Sequence, residues 1–409
     1  MYRPLRILVL AVLLAAGAGR AYAQDNEVVE VPGGITYELI GTYDAARLNK
    51  IVTDELNDFK TTKNNVALPE AANGVKLYRV RYQTVIPERG NRPVMAAGLI
   101  AVPEVQSRAY PLVSYQHGTV FSKDEVPSIP EKSTETRLMI AQFAGHGYVV
   151  IAADYIGKGS SGEPDSYMVK ESTAQACYDM LTAAQAVLDS LKIRTGGLFL
   201  SGWSQGAWST MVFRNKLESL GIPIKAAATA CTPSNLYLLA NRWISNRSTL
   251  DADWIVGTAA LLINSYENYY QLPGLSREAI KPTYWQTARD FYENKIGWVE
   301  ASKIFPKSVK EFFQDDFSGK GSIMANRFFR QLFENQAYEW RYRTPTRFYY
   351  GKIDEVIPPF VAALPASYQE VIGGAPSKAV YAGDDADHRG TFIYGMIDQK
   401  KWFDELASK

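Results

Sequence analysis

Gly202-Trp203-Ser204-Gln205-Gly206 joins the apolar run Leu198-Phe199-Leu200 to a long amphipathic segment that begins at Gln205. A strand that reverses sharply into a helix holds its central serine in a strained turn. Glycines two residues before and two after let the strand and helix approach that closely. The hydroxyl of Ser204 is thereby exposed to a reaction partner. Five residues of this composition are a weak signal alone, and a plain strand-to-helix turn with a capping serine is the bland alternative. The position between a strand pattern and a helix pattern is what marks the string as a nucleophile elbow.

A serine hydroxyl is a poor nucleophile at neutral pH, so it needs a base, a carboxylate to orient that base, and donors for the developing oxyanion. The chain offers three histidines, His117, His146 and His388. Only His388 follows the last strand pattern, in the loop Asp384-Asp385-Ala386-Asp387-His388 ahead of the final helix, and it is the candidate base. The candidate carboxylate is Asp354, in Gly351-Lys352-Ile353-Asp354-Glu355, directly after a strand ending at Tyr350. The order serine, acid, histidine is the one this elbow type uses, and the stretch between Asp354 and His388 has room for one helix and one strand. Glu355, Asp384, Asp385 and Asp387 are rival acids.

One oxyanion donor is expected from the backbone N–H of Gln205, where a helix N-terminus favours negative charge. The second is expected from Tyr115-Gln116-His117-Gly118-Thr119, at Thr119 or Gly118. His117 would shape that loop rather than act as base, and His117, Tyr155 and Trp203 are the candidate substrate-binding residues. His146 reads as a helix C-terminal residue.

These residues need a scaffold that brings distant loops to one rim. Strand patterns at 112–115, 148–153, 198–201, 226–230, 347–350 and 378–381 alternate with helical patterns at 134–144, 173–191, 205–221 and 391–406. Such alternation predicts a parallel sheet covered on both faces. Before it, 77–87 and 93–103 read as a hairpin of antiparallel edge strands around Glu88-Arg89-Gly90-Asn91-Arg92. Residues 24–76 form an N-terminal extension with a helical piece from Tyr43 to Phe59, expected to serve packing. Between Leu236 and Asn335 the strand rhythm stops, which predicts a helical cap inserted into a core formed by 77–235 and 336–409. That insertion holds 18 aromatic residues, including Trp243, Trp254, Tyr269, Tyr270, Trp285 and Trp298. A small helical unit uses large rings to bury enough area, and some of the remainder should line the substrate cleft.

Composition narrows the setting. Arg3 and Arg6 precede the apolar run Ile7 to Ala16 and the small-residue site Ala21-Tyr22-Ala23, which reads as a processing signal over residues 1–23 and predicts export to a periplasm or the exterior. No later stretch approaches the ~20 apolar residues of a spanning helix. Without the signal the chain carries 41 basic and 43 acidic side chains, a balance that gives no reason to expect nucleic acid as a partner. Cys177 and Cys231 read as buried small hydrophobes rather than a pair. Three histidines without H-E-x-x-H or paired C-x-x-C leave a dedicated zinc site short of ligands, and no cofactor is expected.

Taken in order, Ser114-Tyr115-Gln116-His117-Gly118-Thr119, the run Gly147 to Gly159, the elbow, and the Asp354 and His388 loops resemble the α/β-hydrolases, and more narrowly their secretory-lipase-like esterases. The resemblance implies an eight-stranded, mostly parallel sheet with helices on both faces, a Ser204, Asp354, His388 triad working through an acyl-enzyme, and a lid built from the insertion. The expected activity is hydrolysis of small-molecule or lipid carboxylic esters. A serine peptidase or acyltransferase is the alternative on the same machinery, and a binding protein on an inactive scaffold is a third.

Overall fold

The computed structural model describes residues 27–61, 67–245, 248–317 and 326–408; the segment read as a processing signal lies outside them. Ten strands form one mixed sheet: β1 (Val29–Val31), β2 (Ile35–Tyr43), β3 (Val75–Ile86), β4 (Arg92–Pro103), β5 (Tyr110–Gln116), β6 (Val149–Ala153), β7 (Thr195–Trp203), β8 (Ala226–Ala230), β9 (Thr346–Tyr350) and β10 (Ser377–Tyr381). Their spatial order is β1-β2-β3-β4-β6-β5-β7-β8-β9-β10. Pairings from β1 through β4 to β6 are antiparallel, and those from β6 through β5 to β10 are parallel.

The expectation of eight strands is corrected to ten. The eight run from β3 to β10, and the extension adds β1 and β2 at one edge. It therefore does more than pack a helix, and β3 is no edge strand. Ile35 and Tyr37 alternate with polar neighbours to face the core, and Gly33 and Gly34, both at positive φ, turn the chain back from β1. A strand of this length, half diluted by polar residues, gives a weak period-two signal.

The parallel strands are buried on both faces, as continuous apolar runs require. In β6, Val149, Ile151 and Ala153 belong to one core cluster, while Val150 and Ala152 belong to the other. In β7, Leu198 and Leu200 face the first and Phe199 the second. The helices of the sheet layers are α3 (Thr134–Phe143), α4 (Lys170–Ser190), α5 (Gln205–Ser219), α13 (Pro359–Ile372) and α14 (His388–Ala407), and they follow α1 (Ala45–Lys50) and α2 (Leu56–Phe59) of the extension. α4 packs beside α5, and α3 beside α14. Between β8 and β9 the described chain forms α6 (Leu236–Ser245), α7 (Ile255–Tyr269), α8 (Leu275–Ala279), α9 (Pro282–Tyr292), α10 (Trp298–Ala301), α11 (Val309–Phe312) and α12 (Arg327–Glu334). No described helix is long and apolar enough to cross a membrane.

Where α5 meets β9, Arg214 is wholly buried. Its Cζ lies 3.3 Å from the centre of the Tyr342 ring, and Nη1 donates to Thr346 Oγ1 at 2.8 Å. Glu218 supplies the counter-charge at 3.8 Å and also accepts the Arg343 and Thr344 amides. Removing one member of a buried ion pair strands the other, so Glu218→Ala should destabilise the protein by about 3–5 kcal/mol in urea unfolding. A loss below about 1 kcal/mol would mean that Tyr342 and Thr346 suffice for the guanidinium.

Candidate active site

The turn after β7 is built as the glycine spacing requires. Ser204 sits at φ 57°, ψ −122°, a backbone conformation that side-chain-bearing residues rarely adopt and that functional sites retain. A Cβ on Gly202 would run into Gly206 O and Thr210 Oγ1, and one on Gly206 into Gln116 O and, at 2.6 Å, His117 O. Gly206 thus sets how closely α5 approaches the loop after β5. The amide of Gln205, in the first turn of α5, has no intrahelical acceptor.

Asp354 and His388 come together from loops after β9 and β10. Asp354 Oδ1 accepts the Val356 and Ile357 amides at 2.9 and 2.8 Å and His388 Nδ1 at 2.9 Å. Burial pushes the Asp354 carboxyl up, but the facing imidazole and these hydrogen bonds outweigh it, so its pKa falls below the usual carboxylate range. Burial likewise pushes His388 down, and its pairing with Asp354, aided by Glu355 and Asp387, overrides this and raises it. The main chain of His388 is fixed as well. Its N–H donates to Glu355 Oε2 at 2.9 Å, and its carbonyl accepts Trp203 Nε1 at 3.2 Å and Cys231 Sγ at 3.4 Å.

Three of the rival acids have other employment, Glu355 holding that amide, Asp387 capping α14 through Gly390 N and exposed Asp384 pairing with Lys352, and the fourth, Asp385, is exposed. Among the described residues the imidazole bonds only through Nδ1, leaving Nε2 open, and no hydrogen bond joins it to Ser204 Oγ. Ser204, His388 and Thr119 line one cavity of about 1130 Å³.

The loop after β5 corrects three sequence expectations. The Gly118 amide is committed to Glu135 Oε1 at 2.8 Å, which removes Gly118 as an oxyanion donor. The Thr119 amide has no acceptor among the described residues. His117 and Tyr155 do not line the cavity. Both are buried with rings stacked 4.3 Å apart, and Tyr155 OH donates to His117 O at 3.0 Å. They pack against the loop from inside, away from the cavity lining. Burial pushes His117 down to about 4, so it is neutral at pH 7, and the shorter contact, Nδ1 to Gly118 O at 2.8 Å, is the better placed for its single N–H. His146 lies elsewhere, bonded to the Ala141, Gln142 and Glu70 carbonyls.

Of the insertion's rings, Trp254 and Trp298 line the cavity beside Trp203 and Phe121. The centres of Trp203 and Trp254 lie 5.0 and 6.3 Å from the imidazole. Trp243, Tyr269, Tyr270 and Trp285 are held in packing, donating to Val356 O, Pro164 O, Asn335 Oδ1 and Ser276 Oγ.

Sequence reasoning missed Glu135, Cys231 and the extension's part in the wall. Phe59 packs edge-on against Trp203, Thr61 lines the cavity, and Thr61 Oγ1 donates to Asp387. A helical period from Tyr43 to Phe59 could not say which loop it would touch. Cys177 and Cys231 are free and buried. Cys231, Asp354 and His388 bring ligand atoms within 4.8 Å of one another; in this trio His388 Nδ1 is engaged by Asp354, and burial pushes the Cys231 thiol well above its ordinary pKa.

No protein-family model matches the chain, and no curated protein matches it. Solved structures do. A candidate hydrolase from Legionella pneumophila superposes with a TM-score of 0.80 at 21% identity, covering 93% of this chain and 98% of that one. The rice cell wall degrading esterase LipA of Xanthomonas oryzae gives 0.78 at 20%, covering 93% and 98%. Candida antarctica lipase A in its closed state gives 0.61 at 16%, covering 90% and 81%. Identities this low speak to architecture, and together with the sheet order and the elbow they show that the chain has the α/β-hydrolase fold.

Proposed function

We propose that the protein is an exported serine hydrolase that cleaves carboxylic esters through an acyl-enzyme. The observation that carries the reading is the Asp354–His388 hydrogen bond of 2.9 Å, His388 lining the same cavity as the strained Ser204. His388 Nε2 takes the Ser204 proton as Oγ attacks the ester carbonyl. Asp354 holds the ring through Nδ1 and stabilises the imidazolium. The Gln205 and Thr119 amides receive the oxyanion. The imidazolium returns its proton to the leaving alcohol, and a water repeats the sequence to release the acid.

The cavity lining favours an ester over a substrate amine. The insertion contributes Glu300 against Lys295 and Lys303, so it offers no surplus negative charge. The aromatic neighbours that line the cavity suit an apolar acyl or alcohol group. Export rests on the residues before Gln24 and is tested by N-terminal sequencing of protein recovered outside the cytoplasm.

The reading is tested by incubating the protein with a fluorophosphonate and mapping the adduct by peptide mass spectrometry. A single adduct on Ser204, with turnover of p-nitrophenyl esters exceeding that of matched peptide amides, is the expected result. An adduct elsewhere would sink the assignment, and amide turnover above ester turnover would move it to the peptidases.

A further inference from the structure

Glu135 stands in the first turn of α3, behind the loop that carries Thr119, and the residues used so far give it no role. It is only 7% exposed, and burial pushes its carboxyl up to about 7. No lysine or arginine pairs with it among the described residues. Nearby Arg137 is spent on Glu55, on Thr134 Oγ1 and on the carbonyls of Pro130 and Glu131. A buried carboxyl without a fixed cation is costly to keep and needs a compensating reason. Its contacts supply one: Oε1 accepts the Gly118 amide at 2.8 Å and the Tyr115 hydroxyl.

Two successive peptide units of the loop are pinned, the first at both its N–H and its carbonyl and the second at its carbonyl alone. In the unit joining His117 to Gly118, the N–H goes to Glu135 and the carbonyl accepts Tyr155 OH at 3.0 Å. In the next unit, the Gly118 carbonyl faces His117 Nδ1 at 2.8 Å. A trans peptide points its N–H away from its carbonyl, so the Thr119 N–H is turned to the side opposite the His117 ring. Two residues beyond Gly118, Lys158 Nζ holds the Val120 carbonyl at 3.2 Å. Thr119 Oγ1 is also hydrogen-bonded to Tyr167 OH at 2.7 Å, but of these contacts only the one from Glu135 grips a backbone amide.

We propose that Glu135 is a positioning residue whose carboxyl oxygen, by holding the Gly118 amide, aims the Thr119 N–H at the oxyanion formed on attack by Ser204. This rests on the ester-hydrolase reading above. The role depends on an acceptor at the right reach, not on charge. A glutamine retains that acceptor, and an aspartate, one methylene shorter, does not reach.

The experiment compares Glu135→Gln, Glu135→Asp and Glu135→Ala on one p-nitrophenyl ester, with Ser204→Ala alongside. Glu135→Ala and Glu135→Asp should lower kcat by about 10²-fold or more, with KM within about threefold, the pattern of an interaction made in the transition state. Glu135→Gln should keep most of the activity. A structural role would lower Tm and leave kcat per folded molecule unchanged, and that result overturns the proposal. If Glu135→Ala does not fold, the ranking of the other two decides: aspartate equal to or better than glutamine means that charge matters rather than reach, and the proposal fails. Should Ser204→Ala retain turnover, the hydrolase reading itself falls. An inactive Ser204→Ala beside a fully active Glu135→Ala removes only the positioning role.

Discussion

Ser204→Ala is expected to lower ester turnover by about 10⁶-fold while leaving the fold and its unfolding midpoint intact. The fold should survive because the site tolerates the change: the strain at Ser204 is in its backbone, which alanine shares, and the amide still donates to Ala230 O at 2.9 Å. Loss of one oxygen empties little volume in a group that already faces a cavity. Turnover should collapse because neighbouring hydroxyls are committed elsewhere, that of Thr119 in the same cavity to Tyr167 OH at 2.7 Å. Thr210 and Ser209 are buried, and their hydroxyls donate back to the carbonyls of Gly206 and Gln205. Residual activity over water would come from the Gln205 and Thr119 amides and from binding. Steady-state hydrolysis, read with a thermal scan, checks both halves; activity within tenfold of the parent would remove Ser204 from the reaction.

Asp354→Asn should cost on the order of 10³–10⁴ in kcat/KM, and here the structure says how. A single carboxylate oxygen, Oδ1, takes both loop amides and the imidazole N–H. An asparagine flipped to present its NH₂ would confront three donors at once, so the amide oxygen should stay where Oδ1 is and the ring should keep its tautomer. What disappears is the negative charge. Since that charge helps hold the His388 pKa above its ordinary 6.5, the parent should lose kcat/KM on the acid side with an apparent pKa above that value. In Asp354→Asn the acid limb should move to lower pH as the residual rate falls. A limb that stays in place would show that Glu355 and Asp387, not Asp354, set the imidazole's affinity for the proton.

What was legible in the sequence follows the range over which each signal acts. The elbow, the order of Ser204, Asp354 and His388, and the strands from β5 to β10 are written in local periods and glycine spacing, and the structure brings Asp354 and His388 into contact as expected. Strand ends moved by only a few residues, as between the expected 198–201 and the observed Thr195–Trp203. Which amide of the loop after β5 is open is not legible in sequence, because it depends on a carboxylate 17 residues from Gly118, at Glu135. An acid in the first turn of a helix looks like ordinary dipole compensation. The burial of His117 and Tyr155 away from the cavity is illegible for a related reason: polar aromatic residues beside such a loop carry no sequence mark of which way they face.

The two added strands have a consequence for the integrity of the whole molecule. β3 is twelve residues long and, without β2, would present a continuous row of unpaired amides and carbonyls to any passing chain. β2 pairs with that row from Val75 to Arg81, and the same stretch of chain leads through α1 and α2 to Phe59 against Trp203. Trimming this stretch would therefore bare part of the β3 edge and remove part of the cavity wall together.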